Sequence, residues 1–280
     1  MLIDLTPSLR IRLTGQDTQD IPLRKDGNGW EVQTDQIQGH IHVETQDTGT
    51  LLKADLELVP RMPRFGKQDT FDQNQGLVFA FPLDGKDYEL MALNQHKAWW
   101  TRPDFPSEAQ NIPERTQLLL GKANDKNHYF AIMVACSTHY RADMCGIEDA
   151  LLVQLSSNIS TLKRCQAPIL AYAEGANPYQ LIEALTRLLL PYTGAKLRED
   201  KIYPELFEKL GWCSWDAFYH KVDEVGLVNK AQELKDKDIP VRWMLIDDGW
   251  SEADYENQGL IDLDGAPEKF PGGLKDTVRK

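Results

Sequence analysis

The chain has 280 residues, of which 41% are hydrophobic and 26% charged, and its formal net charge is −12. That length allows one large domain or two. An acidic chain without a basic block argues against nucleic acid or an anionic membrane as partner, and no apolar run approaches the roughly 18 residues that span a bilayer.

The start, Met1-Leu2-Ile3-Asp4-Leu5, lacks the basic-then-apolar pattern of a secretory leader. Residues 1–176 read as β structure. Leu9, Ile11 and Leu13 alternate with Arg10 and Arg12, and Leu52, Ala54, Leu56 and Leu58 alternate with Lys53, Asp55 and Glu57. Both have the two-residue period of a half-buried strand. Further strands are expected over residues 76–81, 88–93, 116–120, 129–136, 151–155 and 169–172. Turn signals separate them: Asp26-Gly27-Asn28-Gly29, Asp84-Gly85, Asn124-Asp125 and Cys145-Gly146. Many short strands at similar spacing predict an antiparallel β-sandwich. The proline-containing stretches 60–63 and 103–113 are expected as loops. In Lys97-Ala98-Trp99-Trp100-Thr101-Arg102-Pro103, Trp99 is expected in the core and Arg102 in solvent.

The pattern changes at Asn177, which can cap a helix with Pro178 at its first position. Leu181, Ile182, Leu185, Leu188 and Leu189 form one apolar stripe at helical spacing, Pro191 weakens its end and Gly194 can terminate it. Residues 177–207 then read as a connector, and a helix packed on the sandwich is compatible with the same stripe.

Residues 208–280 change periodicity again. A strand over 209–213, a helix over 223–237 and a strand over 242–246 make a βαβ unit with a right-handed crossover. Asp223 is the expected cap, Leu227, Ala231 and Leu234 the buried face, and Pro240 the stop. Residues 251–269 read as a polar loop, and Phe270-Pro271-Gly272-Gly273-Leu274 as entry into another helix.

Both strands end in acids and indoles: Gly211-Trp212-Cys213-Ser214-Trp215-Asp216 and Ile246-Asp247-Asp248-Gly249-Trp250. Parallel sheets bind ligands at the C-terminal strand edge. Adjacent acids are usually solvated turn residues. Here they follow an apolar strand and precede a glycine, which favours a site. Carboxylates accept several hydrogen bonds and suit sugar hydroxyls, and an indole face packs on sugar C–H groups. Trp243, in mid-strand, reads as core. Trp215 and Trp250, at strand ends, read as binding residues. Asp216 is equally a ligand contact or a first-turn cap, and Cys213 reads as a small core residue. The four cysteines (Cys136, Cys145, Cys165, Cys213) show no CxxC spacing and the histidines no metal-ligand spacing. No metal or other cofactor is expected, and a reducing cytoplasm is the simplest compartment.

Gly211 to Tyr219, Gly-Trp-Cys-Ser-Trp-Asp-Ala-Phe-Tyr, followed by Leu-Ile-Asp-Asp-Gly-Trp at 245–250, resembles glycoside hydrolase family 36. The branch is that of raffinose synthases, seed imbibition proteins and bacterial α-galactosidase-like relatives. Phe270-Pro271 with Gly273-Leu274, Tyr203-Pro204 with Leu206, Trp99-Trp100-Thr101 and Thr116-Gln117-Leu118-Leu119 extend the resemblance over most of the chain.

The resemblance implies a β-sandwich followed by a (β/α)8 barrel and a retaining, metal-free reaction on terminal α-galactosides such as raffinose or melibiose. It places Trp215 in the galactose pocket, gives Asp247 and Asp248 the sugar hydroxyls, sets Trp250 and Asp216 near them, and lets the loop around Trp100 and Arg102 reach the substrate. The nucleophile and the acid/base of the family are Asp residues on later strands, expected beyond Lys280. A barrel takes about 250 residues for eight units, so 208–280 supplies little more than two. The expectation is therefore a galactose-binding half-site, in a parent that is an α-galactosidase-type hydrolase. The alternatives are a raffinose-synthase-like galactosyltransferase or a non-catalytic galactoside-binding protein. Open strand edges also leave a homo-oligomer open.

Overall fold

The structure is a computed structural model and describes residues 3–12, 17–59, 76–124, 127–157, 159, 161–254, 256–257 and 259–280. Two compact units divide the chain, Met1–Arg198 and Glu199–Lys280.

The first unit opens with β1 (Ser8–Arg12), β2 (Gln19–Ile21), β3 (Leu23–Asp26), β4 (Gly29–Gln33), β5 (Ile37–Gln46) and β6 (Gly49–Leu58). It continues with β7 (Gly76–Pro82), β8 (Tyr88–Lys97), β9 (Trp100–Asp104), β10 (Thr116–Ala123) and β11 (Tyr129–Met133). β12 (Arg141–Ile147), β13 (Ala150–Ser156) and β14 (Arg164–Gly175) complete it. They hydrogen-bond in the order β2-β1-β7-β13-β12-β10-β11-β14-β6-β5-β4-β3, with β8 on β10 and β9 on β8. The described pairings in this unit are antiparallel.

The alternation in β6 sets its two faces. Leu52, Ala54, Leu56 and Leu58 are buried, whereas Asp55 turns outward to meet Arg164 at 3.2 Å and Gln166 at 3.1 Å on β14. Inward residues from most strands, including Leu9, Phe79, Leu119, Phe130 and Ile132, join one core. Burying each such side chain contributes about 1.5–3 kcal/mol. The Asp26-Gly27-Asn28-Gly29 signal is the β3–β4 turn, with Gly27 at φ +53°.

Several expectations differ from the structure. Cys145-Gly146 is not a turn but lies inside β12, where Cys145 is buried and Gly146 leaves room for the Ala109 carbonyl. Trp99 is not in the core: it is 83% exposed at the β8–β9 hairpin. Pro103 lies in a strand, opposite Leu93 of β8; among the described residues β9 pairs with β8 alone, and an edge strand is where proline is tolerated. Leu13, Asp125 and residues 60–63 lie outside the described residues.

Helix α1 (Pro178–Thr193) starts as its sequence dictates. Asn177 Oδ1 accepts from the N–H groups of Tyr179 (3.0 Å) and Gln180 (3.4 Å), and Gly194 ends the helix at φ +66°. Leu181, Leu185, Leu188 and Leu189 pack with Leu51, Ala131, Ala171 and Ala173 on β6, β11 and β14. The helix runs through Pro191 to Thr193. A proline so near the C-terminal end removes one backbone hydrogen bond and leaves the stripe intact.

The second unit contains β15 (Gly211–Cys213), α2 (Trp215–Phe218), α3 (Glu224–Asp236), β16 (Trp243–Leu245), β17 (Ser251–Asp254), β18 (Gly259–Gly265) and α4 (Leu274–Arg279). β15 and β16 pair in parallel, Gly211 to Trp243 and Cys213 to Leu245, with α3 in the connection between them. Asp223 Oδ1 caps α3 by accepting from Gly226 N–H at 2.7 Å. The expected loop 251–269 instead contains an antiparallel hairpin, β17 on β18. Val222, Leu227 and Phe270 form a small core with Trp212, Phe218, Ile246, Trp250 and Leu274 against it. Of the expected buried face of α3, only Leu227 is buried. Ala231 and Leu234 border an open groove with Ile239 and Met244.

Candidate functional site

The site is built where β15 and β16 end. The strands approach closely because Gly211 has no side chain. A Cβ there would sit 2.1 Å from the Trp243 ring, which lies against it. Trp243 Nε1 donates to the Lys209 carbonyl at 3.2 Å, and its ring meets Phe207 edge-on at 6.0 Å. Trp243 is thus a half-buried strand clamp.

Beyond the strands, Ser214 joins the two ends. Its N–H donates to the Leu245 carbonyl at 3.0 Å, and its buried Oγ accepts from Asp247 N–H at 2.8 Å. Cys213 is exposed, not in the core, and its Sγ donates to Asp247 Oδ2 at 3.1 Å. Asp248 N–H donates to Asp247 Oδ1, and Gly249 N–H to Asp248 Oδ1, both at 2.7 Å. His220 Nε2 lies 3.0 Å from Asp248 Oδ2. Trp215 packs edge-on against His220 at 5.2 Å and Tyr219 at 5.3 Å.

Gly249 is required twice over. Its φ is +105°, and a Cβ would stand 2.5 Å from His220 Cα, so the loops after β15 and β16 touch backbone to backbone. Lys269 Nζ donates to the carbonyls of His220 (2.8 Å) and Gly249 (2.7 Å) across this contact.

The Asp248 N–H, and then the Cys213 thiol, hold the Asp247 carboxyl below its ordinary value of 3.8. The Trp215 backbone bond pulls the Cys213 thiol down, but the Asp247 hydrogen bond, desolvation and the charges of Asp247 and Asp216 outweigh it, and the thiol is raised. Asp247 is therefore a carboxylate acceptor at neutral pH. A carboxylate has about four acceptor directions; Asp247 accepts from Asp248 N–H and the Cys213 thiol, and Asp248 accepts from Gly249 N–H and faces His220.

Asp247, Asp248, Trp215 and Asp216 thus come together at one strand edge. Asp216 is exposed in the first turn of α2. Trp250 is half-buried and packs on the unit's core. Trp100 and Arg102 lie on β9 of the first unit, where Trp100 is 52% exposed with its ring 5.5 Å from His96 and Arg102 pairs with Asn94. Ser214, His220 and Lys269 were not legible as site residues. Ser214 lay inside a recognised motif, whereas Lys269 sat in an apparent polar loop. Among the described residues, no group of three or more His, Cys, Asp or Glu side chains is arranged to hold a metal ion.

Comparison with known proteins adds the following. The family described as raffinose synthase or seed imbibition protein Sip1 matches residues 69–273. The chain is 29% identical over 197 residues to a probable galactinol–sucrose galactosyltransferase 4 of Arabidopsis thaliana, covering 69% of this chain and 22% of that protein. It is 26% identical over 195 residues to a stachyose synthase of Pisum sativum, again covering 69% and 22%. The chain therefore spans about a fifth of the length of these relatives. The galactosidase domain of an α-galactosidase–sucrose kinase aligns with a TM-score of 0.52 at 10% identity, covering 99% of this chain and 41% of that one, which is a likeness of fold.

Proposed function

This chain belongs to the raffinose synthase or seed imbibition protein family, and from that premise we propose that its second unit holds the terminal galactosyl group of an α-galactoside. In this reading the first unit is a β-sandwich, and β15 and β16 are the first two strands of a (β/α)8 barrel. The carrying observation is the placement of Asp247 and Asp248 beside Trp215 at the C-terminal ends of a parallel strand pair.

Asp247 and Asp248 accept sugar hydroxyls, and Trp215 packs its face on the sugar ring. Asp216 and Trp250 flank them. Trp100 and Arg102 enter as substrate contacts by family pattern alone. Neither Asp247 nor Asp248 transfers the proton. A retaining glycosidase needs two carboxyl groups about 5–5.5 Å apart on opposite sides of the scissile bond. Consecutive acids on one strand end approach a sugar from one side.

The parent reaction is glycosyl transfer from an α-galactoside, to water in a hydrolase of the α-galactosidase type. The relatives' names support a second reading, transfer to a sugar acceptor. Both need the same galactosyl site. Raffinose is sucrose carrying an α-galactosyl group, so the two sugars isolate that group. Raffinose is expected to quench or shift the tryptophan emission of the chain saturably, and sucrose is not. Equal responses to the two sugars would overturn the reading.

A further inference from the structure

We propose that Lys269 is a positioning residue: it locks the loop after β15 to the loop after β16 and so sets the spacing between Trp215 and the Asp247–Asp248 carboxylates. The inference rests on the sugar-site reading above and adds a residue that touches no sugar.

The first loop carries Trp215, Tyr219 and His220, and the second carries Asp247, Asp248 and Gly249. They meet at Ser214, whose Oγ accepts from Asp247 N–H, and again at His220. His220 Nε2 faces Asp248 Oδ2 at 3.0 Å, and the Gly249 backbone passes so near His220 that a Cβ would stand 2.5 Å from its Cα. Peptide carbonyls from both loops converge on one ammonium, at 2.8 Å from His220 and 2.7 Å from Gly249. An ammonium has three donors and no acceptor, so it can bind two carbonyls at once without competing for the loops' N–H groups. Hydrogen bonds from a charged donor are about twice as strong as neutral ones.

The lysine's own backbone is anchored. Its N–H donates to the Ala266 carbonyl at 3.0 Å, and its carbonyl accepts from Glu224 N–H at 3.0 Å, at the start of α3. Ala266 N–H in turn donates to the Trp250 carbonyl at 2.9 Å. The ammonium is thus referenced to α3 and to the segment after Asp248. A binding constellation must be held to about 0.5 Å by such supports.

The test uses the whole 280-residue chain, labelled with 15N, with methyl α-galactoside as probe. Lys269→Met keeps the aliphatic stem and removes the charge, whereas Lys269→Arg keeps the charge and offers the N–H donors of a planar fork. Lys269→Met is expected to weaken binding about tenfold, the equivalent of one charge-assisted hydrogen bond. It should also shift the His220 imidazole 15N signal and leave Tm within a few degrees. Lys269→Arg should restore most of both. Unchanged affinity or an unchanged His220 signal in folded Lys269→Met would overturn the proposal. So would a loss that follows Tm and is not rescued by Lys269→Arg. If Lys269→Met does not fold, Lys269→Gln decides on the same two readouts. Should the wild-type chain bind no galactoside, the sugar-site reading fails, and the His220 signal alone still decides the clamp.

Discussion

Gly211→Ala tests the strand contact on which the site stands. The new Cβ would lie 2.1 Å from Trp243 Cε2 and Cζ2, whereas ordinary contact begins at 3.4 Å, so the ring must retreat by more than one ångström. It cannot do so freely. The hydrogen bond from Trp243 Nε1 to the Lys209 carbonyl and the edge contact with Phe207 hold it. Losing them costs about 1 kcal/mol for the hydrogen bond and about 0.5–1.5 kcal/mol for the aromatic pair. The sum, about 2 kcal/mol, falls within the roughly 1–3 kcal/mol usual for overpacking. The β15–β16 ladder has three residue pairs and cannot spread that strain widely. Native-state amide exchange reads it directly. Arg242 N–H, bound to the Leu210 carbonyl, and Ser214 N–H, bound to the Leu245 carbonyl, bracket the ladder. Their protection should fall about thirtyfold, the equivalent of 2 kcal/mol, with β10 amides as internal reference. Unchanged protection at both amides in a folded variant would refute the reasoning.

Two further outcomes follow from single residues. Asp247 is held below its ordinary 3.8 partly by Cys213, so its carboxylate survives as pH falls through the ordinary range. What depends on its charge is present above that value and lost only as pH falls through the lower folded one. Cys213→Ala should move the Asp247 midpoint up, read from its carboxyl 13C shift, and an unmoved midpoint would disprove the thiol's part. Asn177→Ala removes the cap of α1 and should cost about 0.5–2 kcal/mol, seen as a lowered Tm. A Tm equal to wild type would show that the packed leucine stripe alone fixes the helix start.

Periodicity made some elements readable and left others hidden. β6 alternates from Leu52 to Leu58, where one face meets the core and Asp55 on the other meets Arg164 and Gln166, whereas Leu51 on that other face is buried against α1. β14 begins at Arg164, well before the expected 169, because its outward positions there are polar and only Cys165 and Ala167 mark the inner face. It passes through Pro168 at a register shift, where a missing N–H is tolerated. α1 was legible from end to end because cap, stripe and terminating glycine agree. β17 and β18 were hidden because Leu260, Ile261 and Leu263 remain exposed, so no burial shaped their pattern. In the site, the acids and indoles were readable from their place at strand ends. Their supports were not: the Lys269 contacts run to backbone carbonyls, and a carbonyl leaves no trace in the choice of side chain.

Binding of a galactosyl group at the strand-end cluster is read from an 1H–15N map of the chain titrated with methyl α-galactoside, repeated with the Asp248→Asn variant. Saturable shifts are expected at Ser214, Trp215, Asp247, Asp248 and Gly249. Affinity is expected to be about tenfold or more weaker in the variant, from lost hydrogen bonds to a charged acceptor. Absence of shifts at these residues, or the same affinity in Asp248→Asn, would contradict galactosyl binding there.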